Sequence, residues 1–179
     1  MKPLNLSEQN ILLLGYMGSG KSTIGQLLAR ELNCPFTDFD AYLEEQEQLS
    51  IRELFEAKGE IYFRKLEMEH LKRLLDLTAG QVISLGGGTP CYGSNMALIN
   101  ASNHLNIYLK AGIPVLVDRL WNEREQRPLL QHQDSQDKLS EFVGKHLFER
   151  SYYYNQAQYT IAIDGKSPKE VVEEIQALL

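Results

Sequence analysis

The sequence predicts an α/β fold with a five-stranded parallel sheet flanked by helices. Short apolar runs alternate with segments of helical periodicity along the chain, a pattern that is typical of βαβ units. The first run, residues 11–14, is apolar at every position, as expected of a strand that is buried on both faces. A length of 179 residues suits one domain with one core, so we expect residues 1–179 to form a single unit.

The predicted strands are short apolar runs that end at glycine, aspartate or another turn residue. In chain order they cover residues 11–14, 35–37, 81–85, 105–109 and 159–163. Ligands bind beyond the carboxyl ends of the strands in such a sheet. The residues that follow these strands are therefore the first candidates for a functional site.

The helices are predicted from apolar residues at a spacing of three or four and from capping signals. Asn33 and Pro35 end the first helix, and serine capping boxes at Ser50 and Ser167 open two others. Pro114 suits the first turn of a helix, and Ser94 is expected to cap a short one. In chain order the predicted helices cover residues 22–32, 40–48, a helix from 50 that ends before Gly59, then 60–77, 94–99, 113–120, 139–154 and a last one from 167.

Residues 121–137 are polar and irregular, with Arg127-Pro128 inside them. An irregular segment of this length in a compact domain is either disordered or a functional lid. We expect it to be a lid, and residues of about 38–70 to form a small helical region that binds substrate.

Composition excludes several classes of protein. The 18 Lys and Arg residues against 24 Asp and Glu give a net charge of −6, which argues against a protein that coats nucleic acid. An acidic chain can still hold an anionic ligand in one local cationic pocket. No apolar run approaches the ~20 residues of a membrane span, and the run at 11–14 is too short for a signal peptide. Cys34 and Cys91 are isolated thiols that fit a reducing compartment, so we expect a cytoplasmic protein.

A phosphate-binding loop follows the first strand. Residues 15–23 read Gly-Tyr-Met-Gly-Ser-Gly-Lys-Ser-Thr and match the pattern G-x-x-x-x-G-K-[ST]. The glycines let successive backbone N–H groups face phosphate oxygens, and the helix that follows adds its positive end. Lys21 would reach the β- and γ-phosphates, and the Ser22 hydroxyl would ligate Mg²⁺. The nucleotide-binding residues predicted here are Gly18, Ser19, Gly20, Lys21, Ser22 and Thr23.

Two carboxylates follow the second strand, in Asp38-Phe39-Asp40. The chain lacks an N-K-x-D guanine motif, and no apolar strand ends in the acid that usually helps to hold Mg²⁺. At positions i and i+2 of an extended segment, Asp38 and Asp40 would point to one side. Asp38 would then contact Mg²⁺ and Asp40 a substrate hydroxyl. The competing interpretation is an ordinary turn and helix cap, which aspartate also suits.

Three arginines extend the pattern. Arg64 and Glu67 are one helical turn apart, so Glu67 would orient the guanidinium, although such a pair is often only a surface ion pair. Arg127 lies in the expected lid and Arg150 in a late helix. Each of these arginines alone would more often be solvated surface.

Taken together, these motifs resemble the shikimate kinase family. The resemblance rests on the loop at 15–23, Asp38-Phe-Asp40, Phe63-Arg64-x-x-Glu67, Gly86-Gly-Gly88, Arg127-Pro-Leu-Leu130 and Glu149-Arg150, in the order and at the approximate spacing of that family. It implies a P-loop NTPase fold of the nucleoside-monophosphate-kinase-like type with a mobile lid. It also implies transfer of the γ-phosphoryl group of MgATP to the 3-hydroxyl of shikimate, in the route to chorismate and aromatic amino acids.

The resemblance further implies roles for individual residues. Arg64 and Arg150 would hold the shikimate carboxylate, Gly87 would offer its N–H to the substrate, and Asp40 would bind the ring hydroxyls. Arg127 would close over ATP, and Arg119 would stack on adenine. The catalytic residues expected on this basis are Lys21, Asp40 and Arg127.

Two alternatives remain at this point. One is another small-metabolite kinase of the same fold, such as a gluconate kinase. The other is a nucleotide-binding module without catalysis, against which the intact Lys21, Ser22, Asp38 and Asp40 argue. In either enzyme we expect a monomer that uses ATP and Mg²⁺ and binds neither nucleic acid nor membrane. No role is assigned to Tyr16 or to Thr89-Pro90-Cys91, and the run Tyr152–Tyr154 is interpreted as a packed helix face.

Overall fold

The centre of the protein is a five-stranded parallel sheet. A computed structural model describes residues 9–76 and 80–179. The strands are β1 (Ile11–Leu14), β2 (Phe36–Asp38), β3 (Val82–Ser84), β4 (Leu105–Lys110) and β5 (Tyr159–Ala162). Their order in the sheet is β2-β3-β1-β4-β5. All five predicted strands therefore form, and the predicted parallel α/β fold is confirmed.

Helices cover the sheet on both faces. They are α1 (Lys21–Glu31), α2 (Phe39–Glu47), α3 (Ile51–Asp76), α4 (Asn95–Ala101), α5 (Ile113–Glu123), α6 (Gln136–Tyr154) and α7 (Pro168–Gln176). Short 3₁₀ turns lie at Thr89–Cys91, Arg124–Gln126 and Pro128–Leu130. Among the described residues, no helix combines the length and the apolarity that crossing a bilayer requires.

Strand β1 lies at the middle of the sheet, and this position places the site. It pairs with β3 on one side and β4 on the other, with Leu13 opposite both Ser84 and Ile107. Every residue of β1 is buried, as its unbroken apolar run predicts. Because the strands are parallel, the segments that leave β1, β2 and β3 meet at one edge of the sheet.

The break predicted at Gly59 is present inside α3. Gly59 has φ of +79° and ψ of 171°, so the helix is interrupted there. A Cβ at this position would meet no atom within 4 Å, so glycine is favoured for its backbone conformation rather than for space. Of the helix predicted over 60–77, the last residue, Leu77, lies outside the described residues.

Two predicted capping boxes are confirmed and one predicted cap is wrong. The Glu53 carboxylate accepts from the Ser50 N–H at 2.7 Å, and Ser167 and Glu170 form the reciprocal pair of bonds at α7. Ser94 precedes α4 but makes no capping hydrogen bond with its side chain. Its hydroxyl lies 3.9 Å from Met68 Sδ instead, because it turns toward α3.

The irregular segment is shorter than predicted. Helix α5 continues to Glu123, so Trp121 lies in its last turn rather than in a loop. Arg124 accounts for the extension, because its guanidinium donates to the Trp121 carbonyl at 2.8 Å and covers the Trp121 ring at 4.2 Å. This contact satisfies one of the carbonyl groups that a helix end leaves without a partner. Two 3₁₀ turns follow, and α6 begins at Gln136.

Candidate active site

The phosphate-binding loop connects β1 to α1. Gly20 has φ of +86° immediately before the first residue of α1, a conformation that glycine adopts without strain. Lys21 Nζ donates to the carbonyl oxygens of Gly15 at 2.9 Å and Tyr16 at 3.1 Å. The lysine ammonium is thereby held inside the loop that the motif predicts.

Asp38 acts at once as a helix cap and as a partner of the loop. Its Oδ1 accepts from the Asp40 N–H at 3.2 Å, which caps α2, and its Oδ2 accepts from the Ser22 hydroxyl at 2.8 Å. Asp38 is therefore a helix cap and also lies beside Ser22, where it could contact Mg²⁺, so the two interpretations of Asp38 do not exclude each other. The prediction that Asp38 and Asp40 share an extended segment is wrong, because Asp40 belongs to the first turn of α2.

A cavity of about 380 Å³ brings most of the predicted residues together. Its walls come from the phosphate loop, the start of α2, the end of β3, α5 and the start of α7. Of the predicted site residues, it is lined by Gly18, Gly20, Lys21, Ser22, Thr23, Asp38, Asp40, Gly87, Arg119 and Arg127. Ser19 belongs to the same loop and is fully buried.

The two arginines of this cavity are each held by a specific partner. Arg119 Nη1 donates to the Gly18 carbonyl at 3.0 Å, which fixes α5 against the phosphate loop. Arg127 Nε donates to Glu123 at 2.9 Å. Lys166, which sequence reasoning left out, also lines the cavity and forms an ion pair with Glu174 at 2.6 Å.

Burial favours the neutral forms of Lys21 and Asp40, the two charged groups at the centre of the site. It lowers the pKa of Lys21 to about 8, although the nearby carboxylates of Asp40 and Asp38 oppose that shift. It raises the pKa of Asp40 to about 6, with the charge of Asp38 adding to the rise and Lys21 opposing it. An acid and a base that titrate near neutral pH are thus placed together, as is typical of catalytic groups.

The donor set around Ser22 fits a Mg²⁺ ion that is carried by a nucleotide. Within the described residues, no three His, Cys, Asp or Glu side chains converge on one point. One hydroxyl and one carboxylate, Ser22 and Asp38, lie 2.8 Å apart at the cavity wall. Mg²⁺ commonly binds with one or two protein ligands, completing its shell with water and substrate phosphates.

A second cavity, of about 930 Å³, contains the other two predicted arginines. Arg64 and Arg150 line it together with aromatic residues such as Phe55 and Tyr92. The Arg64 guanidinium lies over the Tyr92 ring at 3.6 Å and donates to Glu67 at 2.9 Å. The predicted ion pair of Arg64 with Glu67 is therefore present, and it joins a partly buried guanidinium to a buried carboxylate.

Glu67 is fixed on its other side as well. Only 2% of its surface is exposed, and its second carboxylate oxygen accepts from the Thr89 hydroxyl at 2.7 Å. Thr89 and Tyr92 both support Arg64 through this arrangement, and sequence reasoning missed both. Their position within four residues of the glycine triplet was the one available signal.

The glycine triplet at 86–88 lies between the two cavities. A Cβ on Gly86 would collide with Asp40 Oδ1, and one on Gly88 would lie 3.2 Å from Arg64 Nη1. A Cβ on Gly87 would lie 3.4 Å from the Met17 N–H nitrogen of the phosphate loop. The triplet thus allows the phosphate loop, Asp40 and Arg64 to approach one backbone segment closely.

The tyrosines without a predicted role have distinct environments. Tyr16 is buried beneath Arg150, whose guanidinium carbon lies 5.5 Å from the ring centroid. Tyr154 is fully buried, whereas Tyr152 is 72% exposed. The interpretation of Tyr152–Tyr154 as a packed face therefore holds for Tyr154 and is wrong for Tyr152, because the helix turns that residue to solvent.

Comparisons with known proteins agree with this geometry. A family model described as shikimate kinase matches residues 17–179. The shikimate kinase of Flavobacterium psychrophilum is 46% identical over 171 residues, covering 96% of this chain and 99% of the relative. The shikimate kinase of Flavobacterium johnsoniae is equally similar, with the same identity and coverage.

Solved structures give the same result. The crystal structure of shikimate kinase from Bacteroides thetaiotaomicron matches with a TM-score of 0.87 and 38% identity, covering 95% of this chain and 97% of that one. Shikimate kinase from Acinetobacter baumannii in complex with shikimate matches with a TM-score of 0.81 and 30% identity, covering 95% and 92%. A gluconokinase from Sinorhizobium meliloti, at 18% identity and a TM-score of 0.56, shares the fold alone. On its motifs, its fold and these relatives, this chain belongs to the shikimate kinase family.

Proposed function

We propose that this chain transfers the γ-phosphoryl group of ATP to the 3-hydroxyl of shikimate, giving shikimate 3-phosphate and ADP. One observation carries the proposal: Gly86 and Gly87 line the phosphate-loop cavity beside Asp40, and the next residue, Gly88, lies against Arg64 of the two-arginine cavity. The first cavity suits a nucleoside triphosphate and the second a small carboxylate.

The nucleotide would lie in the first cavity. Backbone N–H groups of residues 18–23 and the Lys21 ammonium would bind its phosphates, as in other proteins with this loop. Arg119, from α5, would contact the adenine, and Arg127 would leave Glu123 to close over the phosphates. Ser22 and Asp38 would hold Mg²⁺, which neutralises charge on the phosphate oxygens when it is bound.

Shikimate would place its carboxylate in the second cavity. Guanidinium groups match the planar geometry of a carboxylate, so Arg64 and Arg150 would bind that end of the molecule. The Gly87 N–H, at the junction of the cavities, would donate to the substrate. The ring would then extend toward Asp40, which lines the first cavity.

Asp40 would orient the 3-hydroxyl and accept its proton. The hydroxyl oxygen attacks the γ-phosphorus, the bond from that phosphorus to the β,γ-bridging oxygen breaks, and ADP leaves. A carboxyl group with a pKa of about 6 is largely ionised at pH 7 and is a stronger base than an ordinary aspartate. Lys21 and Arg127 would stabilise the charge that develops on the transferred group.

We also propose that the enzyme acts as a cytoplasmic monomer with neither nucleic acid nor membrane as a partner. The acidic net charge of −6 argues against nucleic acid as a partner, and the two free cysteines suit a reducing compartment.

A coupled assay of ADP release tests the proposed reaction. The purified chain is supplied with MgATP and with shikimate, gluconate or no acceptor. We expect ADP release with shikimate at least 100-fold faster than with either alternative. Equal release with gluconate would favour a gluconate kinase, and no acceptor-dependent release would favour a binding module.

A further inference from the structure

The three carbonyl groups of the glycine triplet at 86–88 are fixed in two different ways. Those of Gly86 and Gly88 accept hydrogen bonds from backbone N–H groups of the turn that follows, at 3.1 and 2.8 Å. The Gly87 carbonyl accepts instead from the Tyr154 hydroxyl, at 2.5 Å and 67 residues away in sequence. The Gly87 carbonyl, which belongs to the Gly87–Gly88 peptide, is therefore held by side chains and not by the backbone of the turn: closely by the Tyr154 hydroxyl and more weakly by Cys91 Sγ, at 4.0 Å.

Tyr154 is itself rigidly placed. It is the last residue of α6, has no exposed surface, and stacks on the Tyr108 ring with centroids 5.0 Å apart and an interplanar angle of 24°. Burial raises the pKa of Tyr154 well above its usual value, so the hydroxyl keeps the proton that it donates. A hydroxyl held this firmly restrains its partner strongly.

The restraint matters because glycine has more backbone freedom than any other residue. Three glycines in succession would sample many orientations unless neighbours fixed them. A site that is ordered before the substrate binds loses less conformational entropy on binding. Arg150 lies one turn before Tyr154 on the same helix, so one helix end provides both the arginine and the hydroxyl.

We propose that Tyr154 is a positioning residue for the shikimate site. It fixes the Gly87–Gly88 peptide, and with it the backbone of Gly87, whose N–H is proposed to contact the substrate, and it does so from the helix end that also carries Arg150. This inference rests on the proposed function. It assigns to Tyr154 an effect mainly on the acceptor, because Arg150, one turn away on the same helix, lines the second cavity and not the phosphate-loop cavity. Gly87 lines the phosphate-loop cavity, so the KM for ATP is the comparison that separates the two effects.

The variant Tyr154→Phe tests the inference, because it removes the hydroxyl and keeps the ring that stacks on Tyr108. Tyr152→Phe is the matched control, since it loses the same group from an exposed position on the same helix. KM is measured for shikimate at saturating ATP and for ATP at saturating shikimate. The rise in melting temperature caused by shikimate alone is a second readout that does not depend on catalysis.

We expect Tyr154→Phe to raise the shikimate KM about three- to tenfold, the scale of one neutral hydrogen bond. The ATP KM should stay within twofold, the thermal shift with shikimate should shrink, and the control should match the wild type. A purely structural role would lower the active fraction and hence kcat, leaving both KM values unchanged, and would overturn the inference. Equal rises in both KM values would overturn it too. A wild-type chain that does not phosphorylate shikimate would instead contradict the proposed function, and this inference with it.

Discussion

Lys21 is a partly buried cation whose surroundings disfavour its charge, with a pKa lowered to about 8. We expect Lys21→Met to reduce kcat by about 100-fold or more, because in the proposed mechanism it removes a charge that stabilises the transferred phosphoryl group. The melting temperature without ligands should change little, because the loss of two hydrogen bonds to loop carbonyls is offset by removal of a charge whose burial opposes folding. Lys169→Met, at an exposed position of α7, is the control. Near-normal turnover of Lys21→Met would contradict the role of the phosphate loop.

Asp40 and Lys21 together predict a bell-shaped pH dependence. For the free enzyme, kcat/KM for ATP and shikimate should fall below pH ~6 as Asp40 becomes protonated and above pH ~8 as Lys21 loses its proton. At saturating ATP, the fall of kcat on the alkaline side should shift to higher pH, because bound phosphates favour the charged form of Lys21. A flat profile between pH 5 and 9, measured by ADP release, would contradict the assignment.

The Asp40 carboxyl group is also expected to lower the stability of the fold while it supports catalysis. The folded protein retains the Asp40 proton to a higher pH than the unfolded chain does, so this group lowers stability as pH rises from ~4 to ~6. Asp40→Asn should therefore raise the melting temperature at pH 7 while reducing kcat more than it changes KM for shikimate. A lower melting temperature, measured by calorimetry without ligands, would contradict this sign.

At the level of single residues, the sequence predicts the groups that belong to a local motif. Lys21 and Ser22 follow from the loop pattern, and the pair of Arg64 with Glu67 follows from helical spacing. Tyr154 does not follow, because the partner of its hydroxyl is a carbonyl 67 residues away, and no local pattern encodes that contact.

Helices α3 and α6 each contribute one arginine to the second cavity, and their variants should separate substrate binding from catalysis. Arg64→Ala and Arg150→Ala should each raise the shikimate KM by about 10- to 100-fold, since charge-assisted hydrogen bonds contribute roughly 1.5–3 kcal/mol. The ATP KM should move much less. Arg73→Ala, near the end of α3, is the control. Shikimate KM values within twofold of the parent in both variants would contradict the proposed carboxylate site.

Stability should differ between these two variants. Arg64→Ala leaves the Glu67 carboxylate buried without its cation, which is costly. We therefore expect a lower melting temperature for Arg64→Ala than for Arg150→Ala, and partial recovery in the double variant Arg64→Ala/Glu67→Gln. No recovery would mean that the loss arises from packing against Tyr92 instead.

At the level of elements, boundaries set by backbone rules were predictable, and those set by long side chains were not. The break at Gly59 and the capping boxes at Ser50 and Ser167 depend on nearby residues alone. The end of α5 was misplaced because the Arg124 guanidinium satisfies a helix carbonyl from outside the helix.

For the whole molecule, we expect the segment 124–135 to close when nucleotide binds. Arg127 would exchange Glu123 for the phosphates, and Trp121 lies beside that segment under the Arg124 guanidinium. An ATP analogue or ADP should therefore change Trp121 fluorescence and protect residues 124–135 from proteolysis. Shikimate alone serves as the comparison. If nucleotide changes neither the fluorescence nor the cleavage, this part of the chain is not a nucleotide-driven lid.

At this largest scale, the parallel sheet and the placement of its functional edge follow from alternating apolar runs. The order β2-β3-β1-β4-β5 does not follow from them, since periodicity says nothing about which strands are neighbours. The division of the site into two cavities near the glycine triplet could not be predicted from the sequence either. It depends on how α3 and α6 pack around residues 86–88.

The most direct test of the two-cavity site is the identity and amount of its product. The chain is incubated with MgATP and shikimate, ADP is quantified, and the phosphorylated product is analysed by ³¹P and ¹H NMR. The account predicts one phosphate ester per ADP released, all of it on the 3-hydroxyl, because that is the hydroxyl that Asp40 is proposed to orient toward the γ-phosphate when the carboxylate lies on Arg64 and Arg150. Esters on another hydroxyl, or ADP released without any ester, would contradict it.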